Sequence, residues 1–340
     1  MKTLPAVDVV IIGGGWTGLL MAKELGSRSS LSVAVLERGS PRKTEDYAAD
    51  MDELDYAIRL QMMQDVSQET VTFRHDTAQR ALPMRQHGSF LPGSGVGGSG
   101  EHWNGISPRF LPDCFELLSR STERYGAARL PEGHSIQDWG VTYDELEPHY
   151  ARAEQLMGIS GKAGNIRGKL IDGGNVFEGW RSAEYPTPPV KIPYFSSLFR
   201  DAAQMLGYHP YPIPSAAISQ VYRNPDGVTR PGCAYCGYCE RFGCMIGAKS
   251  QPSNTLLPVI MKRKNVSIRT GTWVRRIVLG TTQNGKRAQG VTFVGEKGEE
   301  IFQPADLLLR GLSTTRACCS FRESESLTIL PPERAHSDAT

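Results

Sequence analysis

Val7-Asp8-Val9-Val10-Ile11-Ile12-Gly13-Gly14-Gly15-Trp16-Thr17-Gly18-Leu19 decides the fold of this chain, read together with Leu31 to Glu37 downstream. Ala6 to Ile12 is a short run rich in valine and isoleucine, the pattern of a strand buried on both faces of a parallel sheet. It enters a G-x-G-x-x-G. Leu19 to Leu25 reads as a helix ended by Gly26, and Leu31 to Leu36 reads as a second strand that finishes at Glu37. The glycines have separate jobs in a dinucleotide site. Gly13 permits the tight turn, Gly15 lets a pyrophosphate approach the backbone, and Gly18 lets the helix sit close to the strand. The helix amides face the phosphates, and Glu37 is placed to accept from both ribose hydroxyls. A carboxylate at Glu37 would repel a 2′-phosphate, which argues against NADP and leaves FAD and NAD.

Working outward, the 340 residues suffice for two domains. A formal net charge of +2 gives no case for nucleic acid, and Met261-Lys262-Arg263-Lys264 reads as a solvated helix end. No apolar stretch approaches the ~18 residues of a membrane span. The N-terminal apolar run is interrupted by Asp8 and flows into the glycines, so it reads as a mature strand and not as a signal peptide. Export would then be signalled by a partner.

The stretch Leu91-Pro92-Gly93-Ser94-Gly95-Val96-Gly97-Gly98-Ser99-Gly100-Glu101-His102-Trp103-Asn104-Gly105 is too glycine-rich for regular structure. It can bring backbone amides close to a flat ligand. Further on, Thr142 and Glu145 form a capping box within Asp138-Trp139-Gly140-Val141-Thr142-Tyr143-Asp144-Glu145-Leu146-Glu147-Pro148, and Pro148 should kink or restart the helix that runs to Met157.

Cys233-Ala-Tyr-Cys236-Gly-Tyr-Cys239-Glu-Arg-Phe-Gly-Cys244 holds four of the seven cysteines. The spacing C-x2-C-x2-C-x4-C is one residue longer in its last gap than the bacterial ferredoxin run. Three readings compete. Structural zinc sites pair two knuckles across a longer stretch, and disulfides between cysteines so close in sequence strain the geometry. An iron–sulfur cluster fits best, wrapped by one loop with turns at Gly237 and Gly243 and shielded by Tyr235, Tyr238 and Phe242.

With these residues in view, the chain resembles the glucose-methanol-choline (GMC) flavoprotein oxidoreductases. The two glycine loops carry the likeness, together with the W-x-x-x-Y-x-E-L-x-P stretch from Trp139 to Pro148. The resemblance implies an α/β fold: a Rossmann-like FAD-binding domain from residues 1–110 and 253–310, and a partial substrate domain from 111–252 whose cysteine-rich loop spans 231–250. It implies FAD as cofactor, held by Gly13, Gly15, Gly18, Glu37, Gly97, Gly98, His102, Asn104 and the backbone of Val274. In some members a histidine in this loop bonds covalently to the flavin, and Gly97-Gly98-x-x-x-His102-Trp103 is similar to that subset; the alternative is a histidine that only hydrogen-bonds. The commoner GGSSxxN pattern is met imperfectly, with Gly100 for the second serine and Asn104 one residue late.

Within the family, the cysteine run and the stretch from Phe73-Arg74-His75 through Leu82-Pro83-Met84-Arg85 and Ser89 look most like the large subunits of bacterial gluconate, 2-ketogluconate, fructose and glucose dehydrogenases. That likeness implies a sugar or sugar-acid CH–OH substrate and a hydride passed to flavin. It also implies a cluster at Cys233, Cys236, Cys239 and Cys244, [3Fe-4S] in type, that carries electrons to a cytochrome c. A small subunit and the cytochrome subunit would be partners. They would place the chain on the periplasmic side of the bacterial inner membrane, with contact to the membrane only through them; the alternative is the cytoplasm. An oxygen-dependent oxidase needs no such relay, which favours a dehydrogenase.

After the cysteine loop, Val266 to Arg269 and Thr272 to Leu279 read as strands, Thr292 to Val294 and Ile301 to Phe302 as a hairpin, and Ala305 to Leu309 as a buried strand. From Gly311 to Thr340 there is no apolar period, and the segment reads as a disordered, out-of-frame tail. In a shifted frame, Ser313 to Glu325 is compatible with F-N-N-T-R-L-L-L-L-S-G-I-G, which resembles the family's second signature. The family's catalytic histidine lies near the C-terminus, so none of the seven histidines here is assigned that role, and a non-catalytic flavin-binding fragment is the alternative reading. Coding DNA across Leu309 to Glu325 should show the signature in another frame, and its absence from all frames would sink the frameshift.

Overall fold

The computed structural model describes residues 1–47, 71–73, 78–84, 93–282, 285–311 and 327–328. Arg74, His75, Arg85 and Ser89 of the family-like stretch, and the tail apart from Gly311 and Leu327–Thr328, lie outside the described residues. The chain divides into two compact units: Met1–Asn104 with Tyr238–Met245 and Gln251–Thr340, and Gly105–Gly237 with Ile246–Ser250. The first boundary falls six residues before the expected 111. The cysteine loop is itself divided, with Cys233 and Cys236 in the second unit and Cys239 and Cys244 in the first.

The first unit is built on an eight-stranded mixed sheet. Val7–Ile12 pairs in parallel with Val33–Leu36 on one side and with Ala305 to Arg310 on the other. Val266–Arg269 extends the parallel set beside Val33–Leu36. Val9 to Ile12 and Val33 to Leu36 are buried, as their unbroken apolar runs require. The strand Glu300–Arg310 does two jobs. Its first half pairs antiparallel with Gly285–Val294 and its second half joins the parallel set, with Pro304 at the changeover. Only part of this strand is buried as expected, since Leu307 is 47% exposed. Trp273–Thr282 lies antiparallel beyond Gly285–Val294, and the hairpin turns at Gly295–Glu299 as the sequence implied.

The helix Trp16–Arg28 is longer than read and runs through Gly26. A Cβ there would lie 2.4 Å from a methyl of Val266, so Gly26 serves helix–strand contact and not termination. Tyr143–Met157 begins in the expected capping box, Thr142 and Glu145 bonding reciprocally, but it continues through Pro148 without a restart. It then ends on left-handed Gly158.

The second unit has only two short hairpins, Asn165–Ile166 with Lys169–Leu170 and Tyr222–Arg223 with Thr229–Arg230. In place of a large sheet, an ionic cluster knits its interior. Arg109 makes a bidentate pair with Glu154 at 2.8 Å and reaches Glu147 at 3.1 Å, Arg181 also pairs with Glu154, and all four side chains are buried. Burial alone would push the Glu147 carboxyl up, yet the N–H and hydroxyl of Ser182 and the Arg109 guanidinium outweigh it and hold it below the usual glutamate range. The helix Tyr194–Met205 is arranged the other way: Tyr194, Phe195, Leu198, Phe199 and Met205 face outward.

Removing one member of a buried charge cluster strands the rest, at about 3–5 kcal/mol. Arg109→Met should therefore cost about 3 kcal/mol at neutral pH in urea denaturation. Because Glu147 is depressed when folded, its stabilisation is full above the ordinary glutamate range and is lost as pH falls through the lowered value. The variant should also unfold in acid at a higher pH than the parent. An unchanged urea midpoint would show that Arg181 alone satisfies the cluster.

Candidate dinucleotide site

Parallel pairing delivers the ends of three strands to one edge of the sheet, the place where open α/β sheets bind ligands. Ile12 opens into Gly13, which has φ +97 and needs glycine for that reason. Gly18 faces it so closely that a Cβ would sit 1.9 Å from the Gly13 carbonyl oxygen. Gly15 caps the helix without a side-chain acceptor, so the amides of the first helical turn are not used by a cap. A Cβ on Gly15 would meet nothing nearer than backbone oxygens of Gly97 and Gly311 at 4.0 Å, and that open space fits an approaching pyrophosphate. Gly13 thus makes the turn and Gly18 the close helix–strand contact that the sequence predicted.

Glu37 sits at the end of the neighbouring strand, 7% exposed. Its carboxylate accepts from Gly14 N–H at 2.7 Å and Gly39 N–H at 2.9 Å. Each oxygen keeps acceptor capacity, so the backbone bonds orient the carboxylate without exhausting it. Thr272 donates both N–H and hydroxyl to the Glu37 carbonyl. That contact brings the strand Trp273–Thr282, with Val274, to the same edge. The Val274 side chain is packed into the core with Val10, Leu36 and Phe293, which leaves only its backbone for a ligand.

The second glycine loop lies across this edge. Gly97 N–H donates to the Gly14 carbonyl at 2.7 Å, and Val96 N–H donates to Ser40 at 2.9 Å. Gly97 takes φ +97 and Gly98 takes φ +54. His102 is buried, its carbonyl accepting from Arg241 N–H at 3.0 Å, while Asn104 is exposed. The arrangement brings Gly13, Gly15, Gly18, Glu37, Gly97 and Gly98 together at one edge of the sheet.

Two features were missed in the sequence. Gly311, read as the first residue of the tail, belongs to the turn: its N–H donates to the Ile12 carbonyl at 2.8 Å, and a Cβ there would fall 2.6 Å from Gly18 Cα. Glu101 is almost fully buried and accepts from Tyr47 hydroxyl, Gln251 Nε2, Ser253 hydroxyl and Ser253 N–H at 2.5–2.9 Å. Burial pushes its carboxyl up from the usual range against the pull of those donors. An acid inside a glycine loop was the available signal.

Cys233, Cys236, Cys239 and Cys244 all carry thiols with no disulfide between them. Among the described residues, no three His, Cys, Asp or Glu side chains are grouped to hold a metal ion. Tyr235 and Tyr238 are exposed, contrary to the expected shielding role; the Tyr235 hydroxyl accepts from Lys191 N–H and its ring lies under the Lys191 ammonium. Tyr238 instead meets Phe242 edge to face. Four thiols in twelve residues form a donor set that suits a thiophilic centre.

Gly18→Ala should lower stability by about 1–3 kcal/mol in thermal melts, the cost of overpacking. Gly15→Ala meets open space, so it should melt within about 0.5 kcal/mol of the parent and lose only dinucleotide retention. Equal melting of the two would contradict this division.

A family model described as GMC oxidoreductase matches residues 134–310. The gluconate 2-dehydrogenase flavoprotein of Pantoea cypripedii is 44% identical over 312 residues, covering 90% of this chain and 50% of that protein. The fructose dehydrogenase large subunit of Gluconobacter japonicus is 31% identical over 266 residues, covering 73% of this chain and 42% of that protein. The chain thus spans about half the length of these curated relatives. Among solved structures, an FAD-dependent oxidoreductase from Chaetomium thermophilum aligns with TM-score 0.50 at 16% identity, over 89% of this chain and 45% of that one, a likeness of fold. The glycine turns, the sheet that presents them and these matches agree: the chain belongs to the GMC oxidoreductase family.

Proposed function

We propose that this chain is the FAD-binding part, with a portion of the substrate domain, of a dehydrogenase that oxidises a CH–OH group of a sugar or sugar acid. The observation that carries the reading is the pairing of the two glycine loops, Gly97 N–H on the Gly14 carbonyl, over a helix terminus that no side chain caps. Gly13, Gly15 and Gly18 would admit the pyrophosphate, Glu37 the adenosine ribose, the Val274 backbone the adenine, and Gly97, Gly98, His102 and Asn104 the flavin side. FAD bound there would supply a two-electron hydride acceptor. The protein's share is to hold that cofactor, with Glu37 already oriented by two backbone amides and His102 already buried beside the loop.

The electron exit is the finer part of the proposal. Four thiols within twelve residues support an iron–sulfur cluster at Cys233, Cys236, Cys239 and Cys244 that hands electrons to a cytochrome c subunit. The two named relatives are a flavoprotein and a large subunit, which supports assembly with partner subunits; the reading makes these a small subunit and a cytochrome c, on the periplasmic side of an inner membrane. No described helix is long and apolar enough to cross a membrane, which fits attachment through partners.

The alternative is a flavin-binding chain without turnover. It is favoured by the histidines: among the described residues His134, His149 and His209 are exposed on the second unit, and only His102 lies in the dinucleotide site. One preparation separates the readings. Purified chain should carry flavin, with iron and acid-labile sulfide in cluster stoichiometry and an EPR signal. Yellow colour in an acid-precipitated pellet would mark a covalent bond at His102; colour in the supernatant refutes it. Dye reduction that depends on gluconate or a related sugar supports the dehydrogenase, and bound flavin without any reduction supports the alternative.

A further inference from the structure

Glu101 lies between two features that the proposed function treats separately, the flavin loop and the second half of the cysteine loop. Its carboxylate collects four donors, from Tyr47, Gln251 and both the hydroxyl and amide of Ser253. Gln251 passes the connection on: its Nε2 donates to Glu101 at 2.7 Å, and its Oε1 accepts from the Cys244 amide at 2.7 Å. Tyr47 makes a parallel link. While its hydroxyl donates to Glu101, its ring lies so close to Gly243 that a Cβ there would fall 2.3 Å from it. A third link leaves the next residue, since the His102 carbonyl accepts from Arg241 N–H. On the loop side, a Cβ at Gly97 would fall 2.0 Å from Glu101 Oε1, so the carboxylate lies directly beneath the flavin loop.

An acid that merely filled space would be poorly chosen for a site this dry. Burying a carboxylate is costly unless donors compensate it, and a neutral side chain of similar size would avoid the cost. What a carboxylate does and an amide cannot is accept from every direction at once. A glutamine here would turn an NH2 group towards at least one of four donors, and the convergence would break.

We propose that Glu101 is a positioning residue that fastens the Arg241–Cys244 half of the cysteine loop to the flavin loop, so that the cysteine backbone is registered against the cofactor cradle. The proposal rests on reading Gly93 to Gly105 as an FAD contact. The Glu101 carboxylate is bonded by Tyr47, Gln251 and Ser253. It acts through Gln251 on Cys244 and through Gly97 on the loop.

The test is residue-resolved alkylation of the purified full chain with iodoacetamide, read by mass spectrometry, beside flavin retention and far-ultraviolet circular dichroism. Glu101→Gln should raise the labelling rate at Cys244 about tenfold and leave Cys114, which belongs to the other unit, unchanged. Gln251→Ala should do the same, and the double variant should add nothing, because both act on one path. Tyr47→Phe, which keeps the ring against Gly243 and removes one donor, should give a smaller rise; it keeps the question answerable if Glu101→Gln fails to fold. An unchanged Cys244 rate in folded Glu101→Gln, or additive effects in the double variant, would overturn the proposal. Flavin retention separates the two readings: a chain that never binds flavin but shows the labelling pattern removes the FAD assignment and leaves the fastening intact. Normal flavin retention with an unchanged pattern does the reverse.

Discussion

The parallel pairing of Val7–Ile12 on both of its edges is the constraint from which the rest of the first unit follows. Val33–Leu36 on one side and Ala305 to Arg310 on the other place the ends of three strands within one turn's reach. A buried central strand must satisfy every amide and carbonyl along both edges, so its register is not free to slip. With the register set, Gly13, Glu37 and Gly311 arrive at the same edge, although they are nearly three hundred residues apart in the chain. The glycine loop then needs only two backbone bonds, at Gly14 and Ser40, to close over them.

The two units are stabilised by different means. The first buries aliphatic strands, and its buried acid Glu101 is held by neutral donors. The second has almost no sheet and relies on Arg109, Glu147, Glu154 and Arg181, whose charges neutralise one another in the interior. Such a cluster specifies geometry more than it adds net stability, because desolvation offsets most of the attraction. Its outward-facing Tyr194–Met205 helix shows the same economy of aliphatic core.

Much of the nucleotide half was legible because local rules agree there with the global fold. An apolar run, a glycine turn, a helix and an acid at the second strand end are each readable within a few residues, and together they allow one topology. The capping box at Thr142 and Glu145 was legible for the same reason. The misreadings came where tertiary contact overrides local preference. Gly26 looks like a helix stop, but its missing side chain admits Val266. Pro148 looks like a break and is carried within a continuous helix. Glu101 and Arg109 draw their meaning from partners 34 to 152 residues away, which no window on the sequence displays. The cysteine spacing states which donors are near one another in the chain; it does not state that they face a common point.

Gly311 has a consequence for how this chain can vary. Gly13, Gly18 and Gly311 form a knot of bare backbone in which a single methyl group at either of the latter two would collide with a neighbour. Substitution there cannot be traded against substitution elsewhere, because the obstacle is main chain and has no rotamer to adopt. A randomised library selected for folding would return glycine at Gly18 and Gly311 whatever else in the chain was varied. The contact also marks an internal ruler: any change that alters the residues between Val266 and Gly311 in number must be absorbed in the connections between strands, at residues 270–272, 282–285 or Gly295–Glu299, or the last glycine misses its place.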